Sequence, residues 1–277
     1  MAVDAAVLKA VEEKRSPPTV RFYGWEPWCV SLGYFQKPSE EFDRAALQER
    51  GWDFVLRPTG GRAVLHAEEL TYSLIARRDE AAWCSTLAVS HERIGWALAA
   101  ALNGFGLSVV GAHPSTGSGT ALPRLSASTK KSITQQSTLP CFASTSRAEL
   151  AFGERKVVGS AQRRTREAFL QHGSIPLTPD HERLVEILRL NEEQRAAYLD
   201  SLRSHAMSLS EIRALPENGF EEGFLEMAKA MLAALEVTGE PGVLTEEELK
   251  DAQEFEKAHL ARQQAFFKQD NGVLTPS

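Results

Sequence analysis

RPTGGRAVLHAEELTYS, residues 57–73, joins a glycine pair to two runs of strand character. Asp53 to Arg57 leads into the pair, and Arg62 to His66 and Leu70 to Ala76 follow it; all three read as β-strands. Two glycines after a strand admit backbone torsions and close approaches that a side chain would block. Arg57 and Arg62 bracket the turn, and guanidinium groups suit a carboxylate or phosphodiester through paired N–H donors. On these residues alone a tight hairpin with solvated arginines is an equally open reading. The turn lacks the Lys-Ser/Thr ending of a phosphate-binding loop and the spacing of a dinucleotide turn.

Outward from that turn the chain alternates strands and helices. Met1 to Arg15 reads as an amphipathic helix with Val3, Val7, Ala10 and Val11 on one side, stopped by Pro17-Pro18. Thr19 to Trp25 and Cys29 to Phe35 are further strands. Ser85 to Phe105 reads as a long helix with Gly106 as its C-cap, and Leu107 to Gly111 as another strand. Residues 113–138 hold eleven Ser or Thr and no acid, the composition of a long mobile loop. Glu149 to Phe152, Lys156 to Gln162 and Ala168 to Ile175 then suggest three antiparallel strands, turning at Gly153-Glu154 and near Thr165. From Asp180 to about Lys268 the pattern is helical. The expected class is α/β or α+β: a sheet domain over 1–205 carrying mobile loop 113–138, with a helical C-terminal region, 206–277, packed on it.

Composition excludes several classes. The chain has 277 residues, is 43% hydrophobic and carries a net charge of −6. That charge argues against a nucleic-acid partner, since a phosphate backbone calls for a basic surplus. No stretch reaches the roughly 20 apolar residues of a membrane span, and the charged first fifteen residues do not read as a secretory signal. A cytoplasmic location without membrane partners is the expectation. The three cysteines, Cys29, Cys84 and Cys141, show no metal-type spacing, so no metal is expected.

Two further segments bear on chemistry. In Arg155 to Gln162, alternation puts Lys156, Val158 and Ser160 on one face of a strand, and Gly159 within it marks a close approach to the backbone. A narrow apolar tunnel or a simple bulge would both explain that glycine. Cys141 follows the polar loop at a loop-to-strand junction, where exposure and a lowered thiol pKa are easier to arrange than inside an element. Lys156 and His172 sit on the following strands, each a conceivable partner for it. Arg155, Lys156, Arg163, Arg164 and Arg166 form a basic run, read either as a solvated face or as a dock for an acidic protein.

RPTGGRAVLHAEELTYS resembles the signature of the lipoate–protein ligase, octanoyltransferase and biotin–protein ligase superfamily. CFASTSRAEL (141–150), GERKVVGSAQRRTREAFLQHGSI (153–175) and RFYGWEPWCVSLGYFQ (21–36) resemble more narrowly the cysteine-bearing octanoyltransferases of the LipM type. The resemblance implies mixed, largely antiparallel sheets flanked by helices, in a biotin/lipoate ligase-like catalytic domain. It implies transfer of octanoyl from octanoyl acyl carrier protein to a lysine of a lipoyl domain, such as glycine cleavage H protein, without a cofactor. By the same resemblance Cys141 is the acyl-accepting residue and Lys156 the active-site lysine. Arg57, Gly60, Gly61, Arg62 and His66 form the ligand-cradling turn. Gly159, Ser160, Ala161 and Gln162 lie on the acyl-tunnel strand, and His172 and Gly173 on the next. Ala67 stands where the family usually has Asp, and Ala148 where an aromatic is common. The family also begins with a strand ahead of the helix that starts here at Met1, so a truncated start and an exposed sheet edge are expected.

Other readings compete. An ATP-dependent lipoate ligase, with ATP and Mg as cofactors, would use the same turn and leave Cys141 incidental. An amidotransferase moving octanoyl between lipoyl domains would also need the cysteine. A non-catalytic acyl- or biotin-binding module would need no nucleophile, and a papain-like hydrolase pairing Cys141 with His172 would leave the glycine turn without a role.

Overall fold

The computed structural model describes residues 1–36, 42–104, 106–107, 109, 150–214 and 220–268. Two sheets form its centre. Strands β1 (Thr19–Tyr23), β5 (Glu69–Arg77), β6 (Leu150–Phe152), β7 (Arg155–Arg164) and β8 (Ala168–Pro176) make a five-stranded antiparallel sheet in the order β1-β5-β8-β7-β6. Strands β2 (Cys29–Leu32), β3 (Asp53–Leu56) and β4 (Val64–His66) make a smaller sheet in the order β3-β2-β4. There β2 pairs parallel with β3 and antiparallel with β4. The architecture is therefore the mixed, largely antiparallel α+β arrangement expected from the sequence.

Strands β5 and β8 set the frame. Their register pairs Thr71 with Ser174, Tyr72 with Gly173 and Ser73 with His172. Cross-strand partners share a face, so alternation sorts the side chains into two sets. Leu70, Tyr72 and Leu74 join a core cluster with Ile94, Leu98 and Leu102 of helix α3 (Leu87–Gly104). Glu69, Thr71 and Ser73 face the other way, yet they are buried too. Toward the far end of that second face, Ile75 and Leu170 pack against Val7, Leu8 and Val11 of helix α1 (Ala2–Glu12). The smaller sheet has its own core of Val30, Leu32, Phe54 and Leu65, closed by the 3-10 turn Pro179–Ile187 and by Tyr198 and Leu202 of helix α4 (Glu192–His205).

The remaining helices pack on this frame. Helix α5 (Phe220–Leu235) lies against α3, and helix α6 (Glu246–Lys268) against α1. Ion pairs from Lys9 (2.6 Å) and Arg15 (2.9 Å) converge on Asp251 of α6. Helix α2 (Arg44–Glu49) is short and begins at an Asp43 side chain that accepts from the Ala45 and Ala46 amides. No helix among the described residues is long and apolar enough to cross a membrane.

Some sequence expectations move. The strand expected over Cys29 to Phe35 stops at Leu32, because the chain turns at Gly33 and the Tyr34 amide bonds the Thr59 carbonyl at 3.0 Å. Leu107 and Val109, part of an expected strand, carry no strand pairing. Cys141, Ala148 and loop 113–138 lie outside the described residues. The basic run does not form one free face: Arg155 pairs with Glu211 at 2.8 Å, Lys156 is buried, and Arg164 binds the Cys84 carbonyl at 2.6 Å.

One buried ion pair ties α1 to the main sheet. Asp4 is fully buried and accepts hydrogen bonds from Arg21, Tyr23 (2.7 Å) and Ser73 (2.9 Å). Burial alone would push its carboxyl up, but the Met1 ammonium, the Arg21 guanidinium and these donors more than offset that, and its pKa lies below 3.8. Asp4→Ala strands Arg21 and should lower unfolding free energy by ~3–5 kcal/mol in urea titrations. A loss below about 1 kcal/mol would show that the pair does not anchor the helix.

Candidate functional site

Where the polar face of β5 and β8 meets the smaller sheet, the chain leaves a cavity of about 420 Å³, partly open to solvent. Of the residues singled out in the sequence, Arg57, His66, Gly159, Ser160, Ala161, His172 and Gly173 line it. Ser31, Val64, Thr71 and Ser174 contribute to the rest of the wall.

The glycine turn lies next to Arg57, and Gly60, Gly61 and Arg62 themselves do not line the cavity. Gly61 has φ 97°, and a Cβ placed on Gly33 would come within 1.9 Å of the Gly61 carbonyl oxygen. The start of the β2 exit loop and the turn are thus in backbone contact, which only glycine permits. Arg57, 4% exposed, is folded back over this turn. Its guanidinium donates to the carbonyls of Gly60 (2.9 Å) and Arg62 (2.6 Å) and to the carbonyl of Ser31 (3.0 Å). The expectation of a guanidinium held out toward an anion gives way to one that staples the turn to β2.

His66 sits at the end of β4, stacked on the Trp25 ring with centroids 4.4 Å apart. Its Nδ1 is 2.7 Å from Glu69 Oε1 and its Nε2 is 2.7 Å from Ser31 Oγ. Glu69 also accepts from the hydroxyls of Thr71 and Ser174, and Trp25 donates its indole N–H to Thr71 Oγ1 at 2.7 Å. Within this hydrogen-bond network the sequence pointed to Arg57 and His66 but not to Ser31, Glu69, Thr71, Ser174 or the stacking Trp25. A signal was present: in Glu-Leu-Thr-Tyr-Ser-Leu, polar and apolar residues alternate through a strand whose faces are both buried.

His172 projects from β8 into the cavity. Its Nε2 lies 2.7 Å from Thr59 Oγ1, while its Nδ1 has no hydrogen-bond partner among the described residues. Burial, reinforced by the Arg57 charge and only partly opposed by Asp4, lowers its pKa to about 3. The ring is neutral near pH 7, and its Nδ1 is buried. On the sheet's other face a Cβ on Gly173 would come within 2.5 Å of Tyr72. Tyr72 hydroxyl meets Ser160 Oγ at 2.7 Å and receives Gln171 Nε2 at 3.0 Å; burial raises the phenol to about 12, so it stays protonated.

Other expected residues lie apart. Gln162 does not line the cavity and bonds Gln171 and Ser90. Lys156 is 3% exposed, its carbonyl bound to the Met207 amide at 2.9 Å, and it too is absent from the cavity wall. Alternation along β7 keeps it on the face of Ser160. Cys29 and Cys84 are buried thiols outside the cavity; burial raises both, Cys84 to about 11. Ala67 packs in the core of the smaller sheet. Among the described residues no cluster of His, Cys, Asp or Glu is placed to hold a metal ion.

An antiparallel sheet whose buried polar face is roofed by a small mixed sheet is a fold shared with solved lipoate protein ligases. A bipartite lipoate protein ligase from Thermoplasma acidophilum, solved in a study with its lipoyl domain, superposes with TM-score 0.71 at 20% identity, covering 100% of this chain and 92% of that one. The chain belongs to the lipoyl protein ligase A/B catalytic domain family, which it matches over residues 1–244. Among its relatives, octanoyltransferase LipM of Brevibacillus brevis is 37% identical over 262 residues, covering 94% of this chain and 91% of the relative. Octanoyltransferase LipM of Bacillus subtilis is 33% identical over 260 residues, covering 90% and 86%.

The His172 ring predicts a pH dependence of stability. Its folded pKa is below the unfolded value of 6.5, so the unfolded chain binds the extra proton and stability falls as pH drops from 6.5 toward about 3. The slope should be up to ~1.4 kcal/mol per pH unit from this group. Asp4, held below the usual carboxylate value, adds loss in the same direction, but only at more acidic pH. Urea titrations at several pH values should show the slope between pH 6 and about 4 flattened in His172→Gln; an unaltered slope would place the ring in water.

Proposed function

We propose that the protein is an octanoyltransferase of lipoate assembly. In this reading it takes octanoyl from octanoyl acyl carrier protein onto Cys141 as a thioester, then passes it to the lysine amine of a lipoyl domain such as glycine cleavage H protein. The supporting observation is the agreement of two independent features: identity to octanoyltransferases along most of the chain, and a cavity with glycines and Ala161 in its wall, where an acyl chain can lie against backbone.

The chemistry is balanced without ATP. Cys141 thiolate attacks the carrier thioester carbonyl, a new carbon–sulfur bond forms, and the carrier leaves as a thiolate that takes up a proton. The acceptor amine then attacks the enzyme thioester, the carbon–sulfur bond breaks, and the amine proton passes to the departing Cys141 sulfur or to solvent. The first exchange is nearly isoenergetic; amide formation is downhill. Lys156 serves as the cation that favours thiolate and orients the thioester, and assists proton transfer from the incoming amine. His172, neutral, contributes to the cavity wall without supplying a charge. Arg57 lines the cavity and holds the glycine turn by its Gly60 and Arg62 carbonyls. Cys29 and Cys84 are too deeply buried and too weakly acidic to serve as the nucleophile.

The test uses intact mass of the full chain mixed with octanoyl acyl carrier protein, without ATP. An octanoyl adduct should form, be absent in Cys141→Ser, persist in Cys84→Ser, and move to apo H protein. Lys156→Ala should slow transfer by ~10²–10⁴. Activity only with free lipoate, ATP and Mg would instead identify a ligase. Loading from an octanoylated lipoyl domain, but not from the carrier, would identify an amidotransferase.

A further inference from the structure

We propose that Glu69 is the positioning residue of this site: a fully enclosed carboxylate that fixes the tautomer of His66 and, through it, the shape of the glycine turn. The assignment rests on the acyltransferase reading only for its activity assay. Glu69 does not line the cavity, yet the three groups hydrogen-bonded to its carboxylate, His66, Thr71 and Ser174, all do.

The direction of each hydrogen bond follows from what each group can do. A carboxylate only accepts, so His66 must present Nδ1–H to Glu69. In a neutral ring Nε2 is then an acceptor, and Ser31 must turn its hydroxyl proton toward it. That leaves the Ser31 oxygen lone pairs to accept from Arg57 Nη1 at 3.2 Å. Arg57 in turn grips the carbonyls of Gly60 and Arg62. One charge at position 69 therefore specifies an ordered chain, Glu69–His66–Ser31–Arg57, that passes along the cavity wall and ends on the glycine turn. The opposite tautomer would set the Nδ1 lone pair against the Glu69 carboxylate, two acceptors with no proton between them. Trp25 locks the ring plane by stacking and reaches the same carboxylate through Thr71. Oriented histidines of this kind depend on the outer partner that holds their second nitrogen.

Three measurements on the full chain test this. Long-range proton–nitrogen-15 correlation should show His66 as the Nδ1–H tautomer in the unaltered protein; an Nε2–H tautomer overturns the proposal outright. In Glu69→Gln, octanoyl transfer should fall in kcat by about 10–100-fold, the range for removing the outer partner of an oriented histidine. Glu69→Asp, which keeps the charge, should recover part of that loss. Finally, Glu69→Gln should cost little more in a His66→Ala background, because Glu69 acts through the ring; additive losses would overturn the proposal. If the unaltered protein shows no octanoyl transfer, the functional reading fails, while the tautomer measurement still decides the role of Glu69.

Discussion

A sheet buried on both faces cannot leave a polar residue without a partner, and this constraint organises the molecule. β5 is buried from Glu69 through Ala76, and β8 throughout. One face is apolar and rests on α3. The other carries Glu69, Thr71, Ser73, His172 and Ser174, which the smaller sheet and α1 shut away from water. An unpaired buried polar group costs about 1–3 kcal/mol, more if charged, so these residues are bound to one another and to groups arriving from the covering elements. Asp4 comes from α1, Arg21 and Tyr23 from β1, Ser31 from β2, Arg57 from the end of β3, and His66 from β4. The wall of the cavity is the set of hydrogen bonds this closure requires. The site and the fold share one network, and changes in the wall are changes in stability as well.

His172 Nδ1 stands out against that background. Among the described residues it is one of a few buried side-chain atoms without a partner, and it lies at the cavity. Beside it, Gly159 and Ala161, paired with Ser174 and His172, put little bulk on the cavity side, while Gly173 makes room for Tyr72 on the sheet's other face. The polar and the small parts of the wall thus come from different positions of the same two strands.

Much of the frame was legible in the residues. The strand pattern after the glycine turn, the β6–β8 meander with its turn at Gly153, the long α3 helix and the helical end all follow from local periodicity. The parallel pairing of β2 with β3 was not legible, since it depends on which sheet a short apolar run joins. Helix α2 was missed because six residues carry little periodicity and its Asp43 cap resembles any loop aspartate. Within the site, glycines and charged residues drew attention, while Thr71, Ser174 and Ser31 did not. A serine in a strand reads as a solvent-facing position unless one knows that the solvent side is closed. Arg57 was misjudged for the same reason: guanidinium groups in turns are usually solvated, and only the fold shows that its donors are spent on the turn's own carbonyls.

The position of α1 extends this dependence to the chain's last long helix. At its first turn α1 delivers Asp4 to the sheet behind His172, and at its last turn Lys9 and Arg15 are held by Asp251 of α6. The Ser16 hydroxyl also donates to Glu248 of α6 at 2.7 Å. These outer pairs are partly exposed, and singly each contributes ~1 kcal/mol or less. Asp4 is different in kind, because it is fully buried and its withdrawal would leave Arg21 and Ser73 unpaired under the cavity. A loosening of α6 therefore has a modest direct cost but acts on a helix whose other end carries an unforgiving contact. The clasp is weak and the anchor strong, so α1 is held where its displacement would be felt in the site first.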